Sequence, residues 1–123
     1  MRITKTLILP VLGLLLSSVA FAADVSGTWT ASFDTQVGQQ NYTYKFKVDN
    51  GKLTGTAKSN LGEGTITDGT VNGDDIAFTE NLTYQGMQLM IVYKGKISGD
   101  EIKFTRVVAE GFDPENLVAK RVK

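Results

Sequence analysis

The stretch Val71–Val108 reads VNGDDIAFTENLTYQGMQLMIVYKGKISGDEIKFTRVV, and it contains one design twice. Val71-Asn-Gly-Asp-Asp-Ile76 and Ile97-Ser-Gly-Asp-Glu-Ile102 are each an aliphatic, four turn residues with a glycine, and an aliphatic. A looser copy lies upstream at Val48-Asp-Asn-Gly-Lys-Leu53. Glycine and asparagine tolerate the positive φ that two-residue hairpin turns demand. Between these turns apolar and polar side chains alternate with period two, the signature of a strand with one buried face. Three hairpins joined by such strands predict an antiparallel meander.

Outward from that stretch the same period continues. Val25, Gly27, Trp29, Ala31 and Phe33 share one face of a first strand, and Asp34 to Gln40 reads as a polar loop. Tyr42, Tyr44, Phe46 and Val48 point inward from the second strand; Leu53, Gly55, Ala57 and Ser59 do so from the third. If Val48 pairs with Leu53, Phe46 faces Gly55 and Tyr44 faces Ala57, so large side chains meet small ones, as a narrow barrel interior requires. The fourth strand, Thr65 to Val71, allows two readings. Regular pairing turns Ile66 outward, whereas a bulge at Asp68-Gly69 turns it inward. The fifth strand carries Ile76, Phe78, Glu80, Leu82 and Tyr84 on one face, and the sixth carries Met87, Leu89, Ile91, Tyr93, Gly95 and Ile97. Ile102, Phe104, Arg106 and Val108 mark the seventh, and Leu117, Ala119 and Arg121 the eighth.

The first 22 residues are expected to lie outside this fold. A basic start (Arg2, Lys5), an apolar run from Leu7 to Leu16 and the ending Ala20-Phe21-Ala22 have the form of a cleaved secretory signal peptide. The run is shorter than the ~20 residues of a spanning helix, which argues against an anchor and for a bacterial periplasmic or secreted protein. The remainder, 23–123, is one domain with no membrane span. Without Arg2 and Lys5, the 13 basic residues become 11 against 13 acidic ones, a net charge near −2, and the charges are scattered. Nothing in that pattern suggests nucleic acid or anionic membrane as a partner, and neither is expected.

The fold expectation is therefore all-β: an eight-stranded antiparallel up-and-down barrel, with a sandwich as the alternative. Closure leaves no strand edge exposed. An outer-membrane barrel would place apolar residues outside and polar ones inside, the reverse of this chain. The three tight turns share one end, floored by Val48, Leu53, Val71, Ile76, Ile97 and Ile102. The longer connections at 34–41, 60–64 and 109–116 share the other end, with Tyr42, Ser59, Tyr84, Met87 and Val108 facing inward and Phe112 in a loop. An open mouth there is where a small barrel would hold a ligand.

Two charges break the inward pattern. Glu80 and Arg106 occupy equivalent places in the repeated hairpins, Ile76-Ala-Phe-Thr-Glu80 and Ile102-Lys-Phe-Thr-Arg106. A lone buried charge is costly, so the two are expected to pair. Either they anchor the polar end of a ligand, with hydroxyls from Tyr42, Tyr44, Tyr84 and Tyr93, or they form a structural ion pair or reach solvent at the mouth. Met90 and Val92 point outward on the sixth strand, as a contact for a second copy or a protein partner or as scattered surface residues. The chain has no His and no Cys, which removes the commonest bases, thiol nucleophiles and transition-metal ligands. No catalytic residue, metal site or cofactor is expected.

Gly27-Thr28-Trp29 on the first strand and Arg121 on the last resemble the calycins, the superfamily of lipocalins, fatty-acid-binding proteins and avidins. In that superfamily a Gly-x-Trp packs under a basic side chain from the final strand and closes the barrel floor. The resemblance implies that Trp29 and Arg121 do so here, through a cation–π contact. Gly51-Lys-Leu-Thr-Gly-Thr56 is also similar to the opening of avidin-type barrels. The chain departs from both in lacking a terminal helix and the tryptophans of a biotin site, so the resemblance implies the barrel and a general binding role only. The function expected is binding of a small, mostly apolar or amphipathic molecule at the open end. The alternative is a non-catalytic interaction or structural module with a filled interior.

Overall fold

A computed structural model describes residues 24–108 and 112–123; the expected signal peptide lies outside the described residues. Eight strands, β1 (Gly27–Thr35), β2 (Gly38–Asp49), β3 (Lys52–Ser59), β4 (Gly62–Asn72), β5 (Asp75–Tyr84), β6 (Met87–Ser98), β7 (Glu101–Val107) and β8 (Glu115–Arg121), follow one another in chain order. Each is antiparallel to the next, and β1 pairs with β8 to close the barrel. No described residue is helical.

The repeated hairpins set the register at the closed end. Val48 pairs with Leu53, Val71 with Ile76 and Ile97 with Ile102. Gly73 and Gly99 both hold φ 61°, the left-handed region where a Cβ is strained. This is why the two copies place glycine at the same turn position. Of the six floor aliphatics, Leu53, Val71, Ile76, Ile97 and Ile102 are buried and Val48 is half-buried.

Trp29 plugs that floor. Its indole Nε1 donates to the Val25 carbonyl at 2.9 Å, and the Arg121 guanidinium lies 4.5 Å above its ring. Arg121 also donates to the Ser26 and Asp24 carbonyls and to the Asp100 carboxylate. Above the floor, the barrel is filled with aromatic rings. Phe33, Tyr42, Tyr44 and Phe46 stack in a column with centroids 5.1–5.6 Å apart. Phe78, Tyr93 and Phe104 pack against it. Large does meet small: Phe46 pairs with Gly55 and Tyr44 with Ala57. A Cβ on Gly55 would lie 1.8 Å from the Lys45 carbonyl oxygen.

Three features differ from the sequence expectation or resolve it. The connections at 34–41 and 60–64 are not long loops but two-residue turns at 36–37 and 60–61, because β1, β2 and β4 run further than their apolar alternation suggests. Only the β7–β8 connection is long. In β4 the register shifts between Thr67 and Thr70, and Asp68 holds φ 53°. This bulge keeps Ile66 buried and Asp68 exposed. Met87, expected inside, is 64% exposed at the β5–β6 turn, beyond the level where the barrel wall shields its side.

The closure is incomplete along its length. β1 and β8 share only two register pairs, Trp29 with Arg121 and Thr30 with Lys120. Beyond them, from Ala31 toward the open end, the strands run on without a ladder. A surface groove of about 750 Å³ follows this seam.

Candidate functional site

The two charged residues of the interior come together with three tyrosine hydroxyls in one cluster beneath the mouth. Glu80 on β5 is fully buried, and Arg106 on β7 is 3% exposed. Neither charge is isolated. Arg106 Nη1 lies 3.8 Å from Glu80 Oε1, and two phenols bridge them. Tyr42 and Tyr93 donate their hydroxyls to Glu80 at 3.0 and 2.8 Å. The same oxygens accept from Arg106 Nη1 at 3.1 and 2.8 Å. Tyr44 completes the chain 3.0 Å from the Tyr93 oxygen. Since the Tyr93 proton points to Glu80, Tyr44 is the donor in that bond. Burial pushes the Tyr44 and Tyr93 hydroxyls well above their ordinary pKa, so both remain neutral donors.

Burial also raises the Glu80 pKa, against the pull of the Tyr93 and Tyr42 hydrogen bonds and the Arg106 charge. The guanidinium lies over the Phe33, Tyr42 and Tyr93 rings at 4.7, 5.2 and 5.6 Å. Its Nε donates to Glu115 Oε1 at 2.8 Å. Glu115 is absent from the sequence reading. Its register partner is Arg106, but Pro114 before it hides the start of β8, and only Leu117 and its successors show alternation.

Above this cluster the mouth holds a cavity of about 230 Å³. Leu61, Leu82, Leu89, Ile91 and Val108 give it apolar walls, while Arg106 and Glu115 supply its polar floor. Val37, Met87 and Phe112 stand at its rim and are exposed. The structure therefore divides the six residues expected to form a ligand site. Arg106, Tyr42 and Tyr84 line the cavity. Glu80, Tyr44 and Tyr93 lie beneath it in the hydrogen-bond network. Tyr84 is apart from that network, its hydroxyl against the Gln85 amide at 3.4 Å.

Gln40 was expected in a loop and instead faces inward on β2, 1% exposed, beside its register partner Phe33. Its Oε1 is buried without a hydrogen-bond partner among the described residues. Among the described residues no cluster of three acidic side chains is placed to hold a metal. On the outer wall Met90 and Val92 are exposed, and Val92 pairs with exposed Val107. No protein-family model, curated protein or solved structure matches this chain.

Proposed function

We propose that the protein is an exported, non-catalytic binding barrel that holds a small, mostly apolar molecule in the cup at its open end. The observation that carries this reading is the 230 Å³ cavity with aliphatic walls and a polar floor. Its shape is that of a small-molecule site, concave and apolar with a few convergent polar groups. The aromatic filling below confines a ligand to the upper part of the barrel. The signal-like leader supports export, and the calycin-like Gly27-Thr28-Trp29 and Arg121 agree with a binding role.

Native mass spectrometry of protein purified from its own host's periplasm tests this. A reproducible extra mass is expected, lost on denaturation and absent from Leu89→Trp, which fills the cup. A bare mass, with no thermal shift across a panel of apolar compounds, would overturn the reading. The second reading is a contact module for another copy of the chain, favoured by the adjoining outward residues Met90, Val92 and Val107. Concentration-dependent association abolished by Val92→Lys would support it.

A further inference from the structure

We infer that the cup selects an uncharged head group, a carbonyl or hydroxyl on an apolar tail, and rejects the matching carboxylate. The inference rests on the ligand-binding reading above and follows from how Arg106 is already employed. An arginine at the floor of an apolar cup ordinarily signals an anion site, because its fork binds a carboxylate through two parallel hydrogen bonds. Either fork would need Nη2 together with Nε or Nη1. Here Nε is taken by Glu115 at 2.8 Å, and Nη1 is taken by the Tyr42 and Tyr93 oxygens. Only Nη2 has no hydrogen bond to a described residue. The two N–H groups of Nη2 diverge, so a ligand can bond to this one nitrogen but cannot form the parallel two-nitrogen fork that holds a carboxylate.

The charge count points the same way. Arg106 is the only cation among the described residues lining the cavity. Two carboxylates face it, Glu115 at 2.8 Å and Glu80 at 3.8 Å. Glu115 itself lines the cavity, so an arriving carboxylate meets a like charge beside the one donor it needs. Like charges at a few Å in a partly desolvated site repel strongly. An ammonium head cannot satisfy Nη2, which is itself a cationic N–H donor. A neutral acceptor satisfies Nη2 without either penalty.

The test uses a matched pair on one tail, hexanamide and hexanoate, titrated at pH 7 and followed by backbone amide NMR shifts of the mouth residues. Hexanamide is expected to bind about tenfold tighter, the effect of a like-charge penalty near 1.4 kcal/mol. Glu115→Gln removes the facing charge but keeps an acceptor for Nε, and it is expected to close most of that gap by improving hexanoate. Hexanoate binding as tightly as hexanamide to the unaltered protein would overturn the inference while leaving the ligand reading intact. Shifts from neither compound would remove the ligand reading itself, and the inference with it.

Discussion

Arg106 Nη1 and Glu80 Oε1 stand 3.8 Å apart, and the hydroxyls of Tyr42 and Tyr93 hydrogen-bond to both side chains at once. The ions are therefore matched through phenols rather than in direct contact. Each Glu80 oxygen accepts from one neutral phenol, and the cation balances its charge at one remove. Removing the cation alone leaves a carboxylate in the interior. Arg106→Met is expected to lose about 3–5 kcal/mol of stability, the usual cost of breaking one side of a buried pair. The double variant Arg106→Met with Glu80→Gln should recover part of that loss. Urea unfolding of the two variants checks the comparison; equal losses would show that Glu80 does not depend on Arg106.

The pH dependence follows from Glu80. Burial holds its pKa above the ordinary 4.5, so the folded chain keeps this proton at a pH where the unfolded chain has released it. In that window the native state binds more protons, and stability falls as pH rises. Thermal melts are expected to show such a decline just above pH 4.5, with Glu80→Gln flattening it. Asp24 and Asp100 act oppositely and elsewhere. Their pKa values are lowered from 3.8, Asp24 by its hydrogen bonds with Ser26 and Asp100 by those with Lys123 and Arg121. Their contribution is lost only as pH falls below that range. A melt that rises through the window above 4.5 and is unchanged by Glu80→Gln would refute the assignment.

The barrel was legible wherever period two ran without interruption. Strand count, the three closed-end turns, the Phe46–Gly55 pairing and the inward placement of Glu80 and Arg106 all follow from alternation and turn chemistry. What escaped has physical causes. Ile66 could not be placed because its side depends on a bulge in which Asp68, a non-glycine residue, takes positive φ. Gln40 was lost because amide residues at strand ends look like loop residues, and only the β1–β2 pairing shows that it turns inward. The bridging of two charges by phenols depends on the barrel's diameter and ring rotamers, which no pattern in one strand carries. Glu115 lay beyond reach for the reason already visible in Pro114.

Gln40 offers a direct test of its orphaned oxygen. A buried acceptor without a partner costs about 1–3 kcal/mol, so Gln40→Leu is expected to raise stability by about 1 kcal/mol. A lower midpoint in urea would show that the amide finds a partner in solution.

Trp29 and Arg121 fasten the first and last strands of the barrel together. Trp29→Ala should lose about 3–5 kcal/mol, as for a large core aromatic. Arg121→Ala should lose less, about 1–2 kcal/mol, because its side chain is partly exposed and its cation–π contact is of the order of 1 kcal/mol. Arg121→Lys keeps the charge but not the planar fork that reaches two carbonyls and a carboxylate, and should recover only part of the difference. Full recovery by lysine would reduce the role of Arg121 to charge alone.

The two-pair seam between β1 and β8 bears on how the chain folds. Seven of the eight ladders join strands adjacent in sequence, six of them through two-residue turns and one through the longer β7–β8 connection, so each forms with a small entropic cost. The eighth joins residues separated by nearly the whole described chain; Arg121 donates to Ser26 across 95 positions. Contacts of such long separation are the slow ones. The sheet can therefore be largely complete before its first and last strands meet, and for that interval both are edges. With so few backbone bonds to draw those edges together, the closing step relies on side chains, Arg121 reaching over Trp29. The time this takes is also the time during which another chain can pair with the open edge, so synthesis rate and local concentration bear on whether the chain closes on itself.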